Sequence, residues 1–206
     1  MLKVHHLNNS RSQRILWLME ELGLDYKIVR YQRDATTNLA PPELLAIHPL
    51  GKSPVFEDDE HTVAESGAII EYVVDRYGDG RLQPDETSPE HVAYVEWLHY
   101  AEGSAMLPLM LKFYLLRLGE AAAPLHPRIE SEIANHLGYI AGALGEREYL
   151  MGDFTGADVQ ISFVVEVGRA LGNLAPFPNL VAYVSRLHAR PAFQRSLEKG
   201  GAYNLA

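Results

Sequence analysis

The sequence predicts an α+β domain of βαβαββα order followed by an all-helical domain. Strand-like and helical patterns alternate up to Tyr77, whereas apolar residues beyond Pro89 repeat only with helical spacing. Between these regions the run GDGRLQPDETSP is polar and rich in glycine and proline, which is typical of a linker. We therefore predict a first domain over residues 1–78, a linker over 79–88 and a helical domain over 89–206.

The first domain is predicted to begin with a β-α-β unit. LKVHHL and YKIVRY have strand-like patterns, and SRSQRILWLMEELG between them carries its apolar residues on one helical face and ends at a glycine. Ser10 and Gln13 have the spacing of a capping box at the start of that helix. APPELLAI then predicts a short helical turn, SPVFED and HTVAE an antiparallel hairpin, and ESGAIIEYVVDRYG a second long helix.

The second domain is predicted to contain helices only. PEHVAYVEWLHYAEGSAMLPLMLKFYLLRLG predicts a long helix with a kink at Pro108, and PLHPRIESEIANHLGYIAGALGE predicts an amphipathic one. ADVQISFVVEVGRAL is apolar nearly all round, which predicts the central buried helix, and Thr155 and Asp158 predict a cap at its start. Two shorter helices follow, around NLVAYVSRLHAR and PAFQRSLEK.

Composition excludes several classes of function. The chain has 18 lysine and arginine residues against 27 acidic ones, and this net charge of -9 repels the phosphate backbone of nucleic acid. It has no cysteine, so a mechanism that needs a thiol must take it from a ligand. No apolar run approaches the roughly 20 residues of a membrane helix, and the start lacks a signal peptide's long apolar segment. We expect a cytoplasmic protein.

Five motifs occur in order along the chain: NNSRSQR, HPLGKSPVFEDD, ESGAIIEY, FTGADVQIS and PNLVAYVSRLHARPAF. Together with the order of the elements, they resemble the cytosolic glutathione transferase family over the whole chain. SRSQRILWLMEELGLDYKIVRYQRD is most similar to bacterial and fungal members that carry serine at the first helix. The resemblance implies a thioredoxin-like first domain, a homodimer, and glutathione as co-substrate without a metal. It also implies that the thiolate of glutathione attacks hydrophobic electrophiles.

Pro54 interrupts an apolar run that otherwise has the pattern of a strand. On the residues alone, this pattern favours an ordinary proline at a sheet edge. The resemblance implies instead that the Ser53–Pro54 bond is cis, and that the backbone of Ser53 pairs with the peptide backbone of glutathione. Family members commonly carry a β-branched apolar residue at position 53, but backbone pairing would survive a serine there.

Three further residues are implied to bind the charged ends of glutathione. Glu65 and Ser66 would hold its γ-glutamyl ammonium and carboxylate, although Ser66 is equally suited to cap the helix that begins there. Lys52 would neutralise the glycyl carboxylate, although a lone lysine in a loop is usually only solvated.

Ser10 is the predicted catalytic residue. A thiol with a pKa of about 8.5 is mostly protonated at neutral pH, so the enzyme must favour the thiolate. The resemblance implies that the Ser10 hydroxyl donates a hydrogen bond to the sulfur, assisted by the helix dipole and by Arg11 and Arg14. Ser12 and Arg11 are rival donors, and without the resemblance a capping role for Ser10 is favoured.

The helical domain is implied to contribute the hydrophobic substrate site. Candidates are apolar or aromatic residues of the long helix, a pattern that more often marks a core: Tyr100, Met106, Leu107, Met110 and Tyr114. The pair His5 and His6 lacks the spacing and partners of a metal site.

Alternative functions remain open at this point: reduction of organic hydroperoxides, glutathione-dependent isomerisation, and non-catalytic binding of glutathione or hydrophobic ligands. Thiol transfer of the cysteine type is disfavoured because the chain has no cysteine.

Overall fold

The computed structural model describes residues 1–205, which form two compact units. Residues 1–83 and 188–204 make the first unit, and residues 84–187 make the second. The predicted domains differ from these units mainly at the C-terminus, because the last helix belongs to the first unit rather than to the helical one. No helix within residues 1–205 combines the length and the apolar character needed to cross a membrane.

The first unit is built on a four-stranded sheet of order β2-β1-β3-β4. Strand β1 runs parallel to β2 and antiparallel to β3, which pairs with β4 as the predicted hairpin. The strands are β1 (Leu2–Leu7), β2 (Tyr26–Tyr31), β3 (Val55–Glu57) and β4 (Thr62–Ala64). Their helices are α1 (Ser12–Leu22) and α2 (Ser66–Tyr77), with a 3-10 turn at Pro42–Ala46. The predicted βαβαββα order is confirmed, and its middle helix is that 3-10 turn.

The second unit is helical, as predicted. Its helices are α3 (Pro89–Tyr100), α4 (Met106–Leu115), α5 (His126–Leu144), α6 (Gly156–Ala170) and α7 (Pro178–His188). A π-helical segment at Ala101–Ala105 separates α3 from α4. The long predicted helix is therefore interrupted before Pro108, whose ring nitrogen has no hydrogen to donate to the carbonyl four residues earlier.

Helix α6 is the buried helix of the second unit, and its start is capped as predicted. Thr155 Oγ1 accepts the Ala157 amide at 3.3 Å, and the carboxylate of Asp158 accepts the Thr155 amide at 2.9 Å. Asp158 also accepts the Leu150 amide at 3.0 Å and the Tyr183 hydroxyl at 2.7 Å. Asp158 is thus fully buried with its charge completely engaged by protein donors.

A final helix, α8 (Pro191–Gly200), packs on α1 through a set of ion pairs. The Glu20 carboxylate accepts hydrogen bonds from Arg195 Nε at 3.1 Å and from Lys199 Nζ at 2.5 Å. The Glu21 carboxylate accepts Arg190 Nε at 2.6 Å and Arg190 Nη2 at 3.0 Å. The amphipathic pattern of the sequence predicts that this helix buries one face, but it does not specify which unit covers that face.

Candidate active site

The turn between β1 and α1 carries the three predicted candidates Ser10, Arg11 and Ser12. Ser10 is 6% exposed, and its Oγ donates to the Leu7 carbonyl at 2.8 Å. The same oxygen lies 2.7 Å from Ser12 Oγ and accepts the Ser12 amide at 3.2 Å. Arg11 is half-buried and occupies the N-cap position of α1, where no side chain caps the helix.

Ser12 faces the interior and shares its hydroxyl among protein groups. It is fully buried, with its Oγ 2.9 Å from His6 Nδ1 and 3.1 Å from the Leu7 carbonyl. It also accepts the Leu7 amide at 3.2 Å. Of the two residues, Ser10 keeps slight solvent exposure, whereas Ser12 has none.

His6 fixes the direction of the hydrogen bond to Ser12. Its Nε2 edge faces Gly200, whose backbone favours the protonated ring. With the hydrogen on Nε2, Nδ1 accepts the hydrogen of the Ser12 hydroxyl at 2.9 Å. Burial, and next the charge of Arg30, lower the pKa of His6 to about 4, although the Gly200 hydrogen bond opposes this shift.

The predicted capping box of Ser10 and Gln13 is wrong. Gln13 is buried, and its amide nitrogen donates to Ser196 Oγ at 2.7 Å rather than returning to the start of α1. The prediction failed because α8 packs on this face of α1 and offers Gln13 a hydrogen-bond partner. In a solvent-exposed helix the Gln13 side chain would have bonded to the start of its own helix.

Ser53 and Pro54 directly precede β3, beside the end of β1, and the bond between them is cis, as the resemblance implied. The Ser53 hydroxyl donates to the His5 carbonyl at 2.8 Å and accepts the Leu7 amide at 3.2 Å. The Leu7 amide is thus shared between the hydroxyls of Ser53 and Ser12. The backbone N–H and C=O of Ser53 form no hydrogen bond with the residues described, 1–205.

Glu65 and Ser66 stand at the start of α2. Glu65 is exposed and has φ 70°, a left-handed conformation that is strained for a residue other than glycine and recurs at ligand sites. Ser66 does not cap the helix; its buried hydroxyl accepts Arg14 Nη1 at 3.1 Å. Arg14 therefore links α1 to the start of α2. Lys52 is exposed, next to Ser53.

Arg33 is a residue that the sequence analysis missed. It follows β2 and donates to the main-chain carbonyls of Asn8 and Asn9, each at 3.2 Å, in the turn that leads to Ser10. Burial, and then the charge of Arg11, lower its pKa. No periodicity or motif marks this residue, because its role depends on contact between two loops.

The adjacent histidines His5 and His6 have separate partners. Side chains alternate across a strand, so His5 and His6 point to opposite faces of β1. His5 Nδ1 lies 2.9 Å from the Tyr31 hydroxyl, and His6 binds Ser12. Among residues 1–205, no group of three or more histidine, aspartate or glutamate side chains is close enough to hold a metal ion.

These features define a thioredoxin-like unit, with its helix-start serines and cis-proline, joined to a helical unit. Residues 1–75 match the model of the glutathione S-transferase N-terminal domain, and residues 103–191 match that of the C-terminal domain. Glutathione S-transferase 3 of Schizosaccharomyces pombe is 34% identical over 97% of this chain and 88% of its own length. Glutathione S-transferase 1 of Saccharomyces cerevisiae is 32% identical, over 98% and 96%.

A solved structure agrees with these matches. A glutathione S-transferase from Actinobacillus pleuropneumoniae superposes with a TM-score of 0.89 and 33% identity, over 100% of this chain and 95% of its own. The chain belongs to the glutathione S-transferase family. It is a transferase with glutathione as its substrate, and the assignment to the serine-type members stays a prediction.

Proposed function

We propose that the enzyme stabilises the thiolate of glutathione with the Ser10 hydroxyl and presents it to hydrophobic electrophiles. The observation that carries this proposal is the difference between the Ser10 and Ser12 hydroxyls in burial and in hydrogen-bond partners. Ser12 gives its hydrogen to His6 and is fully buried, whereas Ser10 needs only to rotate its hydrogen away from the Leu7 carbonyl. The Ser12 amide donates to Ser10 Oγ, which makes that hydroxyl a stronger donor to sulfur.

The start of α1 adds a favourable electrostatic field. No acidic residue lies in its first turn, and the side chain at its N-cap is the cation Arg11. A thiolate at this position would meet the positive end of the helix dipole, which lowers thiol pKa values.

We propose that glutathione lies between the Ser53 edge and the start of α2. The free backbone groups of Ser53 suit an extended peptide that pairs as an added strand. The Ser66 hydroxyl and the α2 amides would hold the γ-glutamyl carboxylate, and the exposed carboxylate of Glu65 would meet its ammonium. Lys52 would meet the glycyl carboxylate.

For the electrophile we propose an apolar face of α4. Leu107 and Tyr114 are 58% and 55% exposed, and Leu111 lies between them at helical spacing with 41% exposed. Of the other predicted candidates, Met106 is buried in the core, and the Tyr100 hydroxyl contacts His136 Nδ1 at 2.7 Å. We further propose a cytoplasmic homodimer, which sedimentation and cell fractionation would test.

The test compares Ser10→Ala, Ser12→Ala and Arg11→Ala. The thiol pKa of bound glutathione is read from thiolate ultraviolet absorbance, and turnover from conjugation of a dinitrophenyl halide. Ser10→Ala is expected to raise the thiol pKa by about one unit or more and to lower kcat/KM at least about tenfold. The same result for Ser12→Ala or Arg11→Ala, with Ser10→Ala unchanged, would transfer the role to that residue. Retention on glutathione resin without turnover would favour a non-catalytic binding protein.

A further inference from the structure

Arg33 clamps the turn that precedes Ser10. Its Nε and Nη2 donate to the carbonyls of Asn8 and Asn9 at 3.2 Å each, and its Nη1 donates to the Asn38 carbonyl at 3.1 Å. Its own amide donates to Asn8 Oδ1 at 3.1 Å. One side chain thus connects the loop after β2 to two successive peptide units of the β1–α1 turn.

The clamp determines where the amides of that turn point. The two peptide bonds that join residues 8 to 10 are trans, and in a planar trans peptide the C=O and the next N–H point in opposite directions. Because Arg33 holds the carbonyls of Asn8 and Asn9, the amides of Asn9 and Ser10 face away from it. Asn9 has φ 50°, a left-handed conformation in which successive amides can converge on an anion. Neither amide donates to an acceptor within residues 1–205.

We propose that Arg33 is a positioning residue for the thiolate: by holding two carbonyls it fixes the turn that presents the Ser10 hydroxyl and the Asn9 and Ser10 amides to the glutathione sulfur. This inference rests on the proposed role of Ser10. The acceptors of the guanidinium on this turn are neutral carbonyls, and a planar fork is what reaches them together. A lysine would keep the charge but lose the fork.

The first experiment separates the clamp from the charge. The thiol pKa of bound glutathione is measured in the wild type, Arg33→Lys and Arg33→Gln. Both variants are expected to raise it by about one unit, a tenfold shift of the thiol–thiolate equilibrium. The proposal is overturned if neither variant shifts the pKa, or if Arg33→Lys matches the wild type while Arg33→Gln does not, because charge alone would then act.

Arg81 supplies the matched control. It also clamps two main-chain carbonyls of the first unit, those of Gly78 at 3.0 Å and Leu22 at 3.1 Å, but not in the β1–α1 turn. Arg81→Lys is expected to leave the thiol pKa unchanged; an equal shift there would mean that any weakening of the unit raises it, and the proposal fails. If the Arg33 variants fold poorly, Asn8→Ala removes only the side-chain acceptor and is expected to shift the equilibrium about threefold. No shift in Asn8→Ala would then overturn the proposal.

A Ser10→Ala background distinguishes this inference from the function on which it rests. If Ser10→Ala alone leaves the thiol pKa at the wild-type value, the proposed role of Ser10 fails. If Ser10→Ala raises the pKa and the Arg33 variants do not, only the inference fails. If the roles of Ser10 and Arg33 are both correct, Arg33→Lys is expected to raise the thiol pKa less in the Ser10→Ala background than in the wild type. The reason is that the two residues act on one hydrogen bond.

Discussion

The starts of α6 and α1 differ in the group that lies at the positive end of the helix dipole. Each helix begins with amide groups that lack an acceptor within the helix and with the positive end of a dipole, and each has a hydroxyl residue within the two positions before it. At α6 the chain provides its own anion, the buried carboxylate of Asp158. At α1 no acid lies in the first turn and the side chain at the N-cap, Arg11, accepts no amide; the Ser12 amide donates instead to the neutral Ser10 hydroxyl. The comparison suggests that a complete helix start is structural, whereas an incomplete one is prepared for an anionic ligand.

The largest expected effect is on the α6 side. In Asp158→Asn, an amide replaces the carboxylate and turns its NH₂ group toward donors from Leu150, Thr155 or Tyr183. We expect the free energy of unfolding to fall by about 3 kcal/mol, since a buried network loses its charged acceptor. Urea unfolding measures this, with the exposed Asp153→Asn as control. Equal costs for the two variants would show that α6 does not depend on its own anion.

A second prediction concerns the neutral histidine behind α1. His6 keeps a pKa of about 4 in the folded chain against an ordinary value of 6.5. Between these pH values the unfolded chain binds more protons, so this contribution to stability is complete above pH 6.5 and is lost as the pH falls toward 4. The loss amounts to at most about 3 kcal/mol, at about 1.4 kcal/mol for each pKa unit.

His6→Gln removes this titration. Urea unfolding between pH 7 and pH 4 is therefore expected to show a shallower loss of stability in the variant than in the wild type. Parallel pH profiles for the two proteins would contradict the assignment of a neutral His6 that accepts from Ser12.

The two helix starts also show which hydrogen bonds can be predicted from the sequence and which cannot. The α6 cap was predictable because Thr155 and Asp158 are three residues apart and bond within one turn. The same reasoning failed for Ser10 and Gln13, because the Gln13 side chain donates its hydrogen bond to Ser196, which is 183 positions away along the chain. Local patterns predict local bonds, and they fail where a distant helix takes the side chain.

The candidate site residues were predicted on a different basis. Ser10, Ser53, Pro54, Glu65 and Ser66 lie in short motifs whose order resembles a known family, so they were proposed without knowledge of their contacts, and their roles stay predictions. Arg33 and His6 were not proposed for the site, since their partners come from another loop and from α8. The unit to which α8 belongs was missed for the same reason.

A third prediction supplies α1 with the anion it lacks. Arg11→Asp places a carboxylate at the N-cap, beside the positive end of the α1 dipole. We expect the pKa of the bound glutathione thiol to rise by about one unit, roughly 1.4 kcal/mol, because two anions would compete for one dipole. Arg11→Gln is the control for lost positive charge. An equal rise in both variants would mean that the arginine, rather than the uncapped helix, favours the thiolate.

The smallest expected effect compares the two hydroxyls directly. Thr155→Ala removes a cap and is expected to lower the free energy of unfolding by about 1 kcal/mol, whereas Thr155→Ser should restore most of it. Without glutathione, Ser10→Ala should cost less than Thr155→Ala, since Ser12 Oγ lies 3.1 Å from the Leu7 carbonyl and can turn its hydrogen to that carbonyl when Ser10 no longer donates to it. Urea unfolding of the ligand-free variants decides this. A larger cost for Ser10→Ala would make that hydroxyl a structural element like Thr155, and the contrast between a closed helix start and one left for a ligand would no longer hold.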